Sequence, residues 1–319
     1  MFGVIMAILA NLTFVVSNAM FRKTEKSTSP PFINMFRTGI GMFTFIIISV
    51  IFGIFSLIFL LPWTLWLVLI VSFIFGQVIG DTSYFMAQKD LGTTKALAVS
   101  MTFPFFTFIL DVIFLRRIFN IILIPSAILI SIGVLLISKF KVKTYPQDSQ
   151  EVNQNRIKQK EEIEIRSSST KNLKPALYGL IASIGWSISV VLIDYGSNQI
   201  NLILSTGSIS SIIANVIRFP FAFLILLFLT KFSNRSNYEI KTRNTWIWLI
   251  IASIIGTSLG VYFFTEAARI AGASVLALIS SANPLFSLPV SYGLNREKLT
   301  SKGFIGVILT IIGVILILL

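Results

Sequence analysis

Neither cysteine nor histidine occurs anywhere in this chain. Their absence excludes disulfides, thiolate metal sites, a cysteine nucleophile, imidazole relays and any Ser-His-Asp arrangement. A coupled proton would have to ride on carboxylates. Charge is scarce too. Asp, Glu, Lys and Arg make up 12% of the 319 residues and hydrophobic residues 55%, where soluble domains carry roughly 25% charged residues. That is too little polar surface to cover a soluble fold. A phosphate-cradling P-loop is also missing, which argues against an ATP-driven pump. No catalytic set, metal site or cofactor is expected.

What the chain has in excess is apolar length and positive charge. The net charge of +13 points away from nucleic acid, because the basic residues stand between apolar runs, as the positive-inside rule expects of a membrane protein. A run of about 18 residues suffices to cross a bilayer, and on that measure ten spans are expected. They run over about 3–20, 32–57, 64–88, 94–115 and 120–138, then 175–195, 203–230, 245–269, 273–294 and 301–319. The first is followed by Arg22 and Lys23 with no basic residue before it, so it is read as a retained helix and not a cleaved signal. Trp63, Trp66, Trp246 and Trp248 suit the interface. Between the fifth and sixth spans, residues 139–174 are rich in Lys, Glu, Gln, Asn and Ser, the composition of a solvated connector.

The stretch from Gly76 to Gly133 occurs twice, at a constant offset of 180 with no gap. Gly76 maps to Gly256, Gly80 to Gly260, Ala87 to Ala267, Gly92 to Gly272, Ser100 to Ser280, Pro104 to Pro284, Arg116 to Arg296 and Gly133 to Gly313. Such an internal duplication is the common build of secondary transporters. The expected fold is therefore all-α and polytopic, with one repeat over 1–138, the connector over 139–174 and a second repeat over 175–319. Five spans per repeat force the second to be inverted relative to the first. Of the 26 Lys and Arg, only Arg116, Arg117 and Arg269 fall on the side opposite the connector, with Arg37 and Arg218 inside spans. The charge rule thus puts the connector in the cytoplasm and both termini outside.

These residues resemble the ten-helix EamA branch of the drug/metabolite transporter superfamily. The resemblance covers the chain outside 139–174 and is stronger in the second copy. There it runs through Gly272-Ala273-Ser274, Pro284, Arg296-Glu297-Lys298-Leu299-Thr300, Gly303, Gly306 and Gly313. The family's acidic residue after the proline-containing helix falls on Glu297; the first copy departs, with Arg117 there. The resemblance implies export of a small metabolite such as an amino acid across the cytoplasmic membrane, through a central cavity between the halves. It also implies cytoplasmic termini, against the charge count. The expected partners are a small-molecule substrate, the bilayer and, as one option, a second copy in a homodimer.

Polar residues inside spans are costly and so informative. Gln77, Asp81, Tyr84 and Gln88 share one helical face, as do Ser258, Tyr262, Thr265 and Arg269, with Glu266 one step round. Ser208, Ser211, Asn215 and Arg218 form a third stripe; Asn11 and Asn18, and Ser183, Ser187 and Asp194, add shorter ones. For Ser and Thr the expected role is hydrogen bonding between helices. Asp81, Arg218 and Glu266 are expected at the cavity, with an Asp81–Arg or Glu266–Arg ion pair as the structural alternative. Arg37 either joins them or snorkels to the interface. The candidate substrate or coupling residues are Asp81, Tyr84, Gln77, Asn11, Arg37, Arg218, Tyr262, Glu266, Ser280 and Asn283. Asp194 and Arg269 are read as helix-end residues and Asp111 as the local partner of Arg116. Pro104 and Pro284 are read as kinks whose freed carbonyls, near Ser100 and Ser280, line the cavity. Converging Arg37 and Arg218 would instead suit phosphorylated or nucleotide-linked sugars. A core packed shut would mark a non-transporting subunit, and a groove open to lipid a lipid-handling protein.

Overall fold

The structure, a computed structural model, describes residues 1–24, 27–91, 99–100, 102–117, 121–139, 141–142, 174–231, 242–283, 285–286, 290, 298–299 and 301–316. Most of the connector, Gly92, Pro284, Pro289, Arg296 and Glu297 lie outside these residues. Within them the fold is helical, apart from one two-residue antiparallel pairing of β1 (Lys141–Val142) with β2 (Lys298–Leu299).

The helices are α1 (Phe2–Arg22), α2 (Pro30–Ile51), α3 (Trp63–Phe73), α4 (Thr82–Leu91), α5 (Phe103–Leu115), α6 (Leu123–Lys139), α7 (Lys174–Leu204), α8 (Ile209–Lys231), α9 (Arg243–Ser253), α10 (Gly260–Ala271), α11 (Ala273–Ser281) and α12 (Ser301–Leu316). Among the described residues six rods are long and apolar enough to cross a membrane: Phe2–Phe21, Pro31–Ile51, Trp63–Ala87, Lys174–Leu204, Ile209–Lys231 and Arg243–Ala271. The surface agrees. Large apolar side chains such as Phe43, Phe105, Phe114 and Leu224 are exposed, while Asp81, Asp194, Arg218 and Glu266 are buried. That inverts a soluble protein and is what lipid as solvent requires. The molecule is an integral, multi-pass membrane protein.

Local chemistry explains several boundaries. Ser29 caps α2, accepting from Phe32 N at 3.4 Å, with prolines in the first turn where no N–H is missed. The helix stops at Ile51, short of the expected residue 57, because Gly53 takes φ +66° beyond the end; a 3₁₀ turn, Phe55–Leu60, follows. Pro104 lies in the first turn of α5 and opens that helix, which corrects its reading as a kink. The sixth span does not end near 195: α7 continues to Leu204. Among the described residues, Pro220 lies inside a helix, α8.

Two π-helical segments, Ile74–Asp81 and Ile254–Leu259, join α3 to α4 and α9 to α10. They begin 180 residues apart, as do α3 and α9. The packing is reciprocal as well. Gly76 in the first π segment abuts Ser189 of α7, and Gly256 in the second abuts Ser17 of α1. Helices at corresponding places in the two copies lie side by side and run antiparallel. Gly39 of α2 meets Phe223 of α8, whereas Gly41 and Phe45 meet Phe219. Gly133 of α6 meets Gly306 and Thr310 of α12, whereas Ser126 and Ile130 meet Gly313.

The crossing of α7 over the first π segment is close. A Cβ on Gly185 would stand 2.6 Å from the Phe75 carbonyl oxygen and 3.3 Å from Gly80 Cα, both rigid backbone. Gly185→Ala is therefore expected to lower stability by about 1–3 kcal/mol, as overpacking does. A thermal unfolding midpoint equal to that of the parent protein would contradict so tight a crossing.

Candidate functional site

The buried charges gather at places set by the π segment and its neighbours. In an i→i+5 helix the backbone widens and carbonyls turn from their usual partners. Asn34 of α2 uses one, donating from Nδ2 to the Gln77 carbonyl at 2.8 Å. Its Oδ1 accepts from Arg37 Nε at 3.2 Å, and the Gln77 amide bridges Arg37 and Asp81, its Oε1 accepting from Arg37 Nη2 at 2.9 Å and its Nε2 donating to Asp81 at 3.2 Å. Arg37 forms an ion pair with Asp81. The other Asp81 oxygen accepts from Trp186 Nε1 of α7 at 2.8 Å. Tyr84 is buried with its ring 5.3 Å from Trp186. Arg37 therefore does not snorkel: it is 7% exposed and spent on Asp81. Trp186, from the second half, bonds the carboxylate of the first.

A second cluster surrounds Arg218 on α8. Nε donates to Ser72 Oγ at 3.1 Å, and Nη1 donates to Asn215 Oδ1 at 2.9 Å and Thr265 Oγ1 at 3.3 Å. The guanidinium lies 4.7 Å from the centre of the Phe73 ring. Arg37 and Arg218 have different hydrogen-bond partners among the described residues, Asn34 and Asp81 for the first and Ser72, Asn215 and Thr265 for the second.

Glu266, fully buried, makes the ion pair held open as its structural alternative. Arg269 donates to it from Nε at 2.9 Å and Nη2 at 2.6 Å, and Ser208 and Ser211 donate at 2.8 and 2.6 Å. Tyr262 is half-buried against the apolar core. Asn11 bonds the Ala7 carbonyl of its own helix at 2.7 Å. Ser280 Oγ and Asn283 Oδ1 are buried without a hydrogen bond among the described residues. The hydroxyl of Ser100 is spent on the Gly179 carbonyl at 3.3 Å, and Ser187 on Phe103 O at 2.8 Å. The Ser100 and Ser187 hydroxyls thus bond between helices.

Asp194 overturns its reading as a helix-end residue. It sits within α7, fully buried, and binds Arg117 through both oxygens, one at 2.9 Å. Asn198 Nδ2 donates to it at 2.8 Å, and so does the Ala273 N–H at the start of α11, at 2.7 Å. Asp111 pairs with Arg117 at 3.6 Å, not with Arg116, and accepts from Ser274. This cluster joins α5 and the residues after it to α7 and α11. A separate recess of about 370 Å³ at the start of α3 is lined by Phe59, Leu61, Trp63, Trp66 and Leu67, none of them charged.

Asn34 and Trp186 were not among the candidates from sequence. Asn34, Arg37 and Thr38 at i, i+3 and i+4 carry a helical-face signal. Trp186, mid-span and not at an interface, is the other.

Comparison with known proteins follows the same lines. The profile of the EamA-like transporter family matches residues 1–139 and 173–319. A protein of Archaeoglobus fulgidus described as an uncharacterized transporter is 22% identical over 255 residues, covering 79% of this chain and 76% of that one. A protein of known crystal structure, 14% identical, superposes with a TM-score of 0.70 over 98% of this chain and 95% of its own, which establishes a shared fold. Spans, buried polar network and family match together identify a multi-pass membrane transporter, and the chain belongs to the EamA-like transporter family.

Proposed function

We propose that the protein is a secondary transporter of a small organic metabolite such as an amino acid, working as an exporter in the cytoplasmic membrane. Ten spans form two inverted five-helix repeats, 1–138 and 175–319, with the connector 139–174 on the cytoplasmic side. The halves rock about the seam between them and expose it to each side in turn. The observation that carries this reading is the antiparallel pairing of corresponding helices, α2 with α8 and α6 with α12. Charged and polar side chains bond across the same seam: Trp186 to Asp81, Ser72 to Arg218 and Asp194 to Arg117. Asp81, with Arg37, Gln77 and Tyr84 about it, is read as part of the gate, because its bond to Trp186 must break when the halves part.

A chain free of native cysteine makes the test clean. Thr102 Oγ1 and Ser183 Oγ lie 2.9 Å apart on opposite halves. The Thr102→Cys/Ser183→Cys variant, reconstituted in liposomes, is expected to exchange a labelled amino-acid mixture when reduced. On oxidation the exchange should stop, and reductant should restore it. Undiminished exchange with the crosslink formed would rule out rocking of the halves.

A further inference from the structure

Among the described residues, the buried charges of the helices pair off with one exception. Arg37 has Asp81, Arg269 has Glu266, and Arg117 has Asp194 and Asp111. Arg218 is 2% exposed and has no carboxylate within ion-pair range among the described residues. Its partners are a serine, an asparagine and a threonine, all neutral. An unpaired buried cation is costly in any low-dielectric setting, and an arginine kept only for packing gains nothing from that cost.

The surroundings are built to hold the guanidinium while leaving one edge unused. Ser72 Oγ donates to the Leu69 carbonyl at 2.6 Å, which turns its lone pairs to Arg218 Nε. Asn215 Nδ2 donates to the Ser211 carbonyl at 2.9 Å and to Thr265 at 3.2 Å, which turns Oδ1 to Nη1. Phe73 covers one face of the plane. Nη2 makes no hydrogen bond to a described residue. Ser72 comes from the first half and Arg218 from the second, so the group stands on the seam. Two residues on, Pro220 leaves the Val216 carbonyl without its helical donor, a place where α8 can bend.

We infer that Arg218 is the docking point for an anionic group of the substrate, a carboxylate or a phosphate, which supplies the missing counter-charge when the seam opens. Guanidinium suits both, since its planar fork matches two oxygens of either group. The inference rests on the transporter reading and narrows its substrate class.

The test measures binding to the purified protein, independently of transport. Two pairs of probes differ in charge at nearly constant shape: L-leucine against L-leucinamide, and glycerol 3-phosphate against glycerol. The expected result is that in one pair the member bearing the carboxylate or phosphate binds about tenfold or more tightly than the member without it. Which pair responds separates carboxylate from phosphate. Arg218→Met should abolish the preference; because it also strands the buried acceptors Ser72 Oγ and Asn215 Oδ1, the readout is binding and not stability. Arg218→Lys, a charge without the fork, should keep part of the preference. The proposal is overturned if neither pair shows a preference, or if Arg218→Met, folded by its circular dichroism spectrum, keeps it. If the preference is absent while the Thr102–Ser183 crosslink still arrests exchange, the anion site fails and the transporter reading stands.

Discussion

Asp81→Leu is expected to destabilise the purified protein by about 3–5 kcal/mol, the usual cost of breaking a buried ion pair from one side. The magnitude comes from what is left behind. Arg37 is 7% exposed and keeps only neutral acceptors among the described residues, Asn34 Oδ1 and Gln77 Oε1, while Trp186 loses the acceptor of its indole N–H. A stranded guanidinium at that depth cannot turn to water. Asp81→Asn should cost less, because a neutral carbonyl still accepts one of the two donors. The double variant Arg37→Met/Asp81→Leu should recover much of the loss, since removing both partners leaves no uncompensated charge. A double-mutant cycle on thermal or denaturant unfolding in detergent measures this coupling. Additive single losses would mean that the two residues do not depend on one another.

Why the sequence reaches some of this and not the rest is a matter of what each signal depends on. Length and hydropathy mark a span without reference to neighbours, so α1, α2, α8 and the rods through α3–α4 and α9–α10 are legible. Face sharing is legible too: Gln77 and Asp81 stand where helical spacing puts them. Partner choice is not, because nothing local says that Asp81 meets Arg37, far away in sequence, and not Arg218. The end of α7 is hidden for a related reason. Asp194, Ser197, Asn198 and Asn201 look like a loop beginning, yet each has a partner. Asn198 bonds Asp194 and the Arg269 carbonyl at 3.1 Å, Ser197 the Ile193 carbonyl at 2.7 Å, and Asn201 accepts from Gly207 N at 2.7 Å. Those bonds let a polar stretch stay helical. A proline reads equally well as a kink or a first turn, and Pro104 takes the second role. The π segments depend on tertiary fit around Gly76, Gly80 and Gly185, and no propensity announces them.

Asp194→Ala is expected to cost about 2–4 kcal/mol, somewhat less than the loss of Asp81. The carboxylate is fully buried, but its cation is not: the Arg117 side chain is 41% exposed. Once released, Arg117 can turn outward and keep Asp111, 3.6 Å away, so little charge is stranded. What remains is the lost pair, the lost acceptor for Asn198, and the uncapped Ala273 N–H at the start of α11, a helix-cap contribution of about 1 kcal/mol. Asp194→Asn should fall between, because an amide oxygen still accepts from Ala273 N. The functional consequence follows from where the contacts lie. Asp194 and Ala273 belong to the second half, Arg117 and Asp111 to the first, so the cluster clasps the halves together. Weakening it should favour the conformation in which this end is open. In an otherwise cysteine-free chain, Ser274→Cys reports that opening through its rate of labelling by a membrane-impermeant thiol reagent. Asp194→Asn should raise the rate about tenfold if the clasp holds the end shut by about 1.4 kcal/mol. Unchanged labelling together with unchanged stability would show that Asp194 neither caps α11 nor holds the halves together.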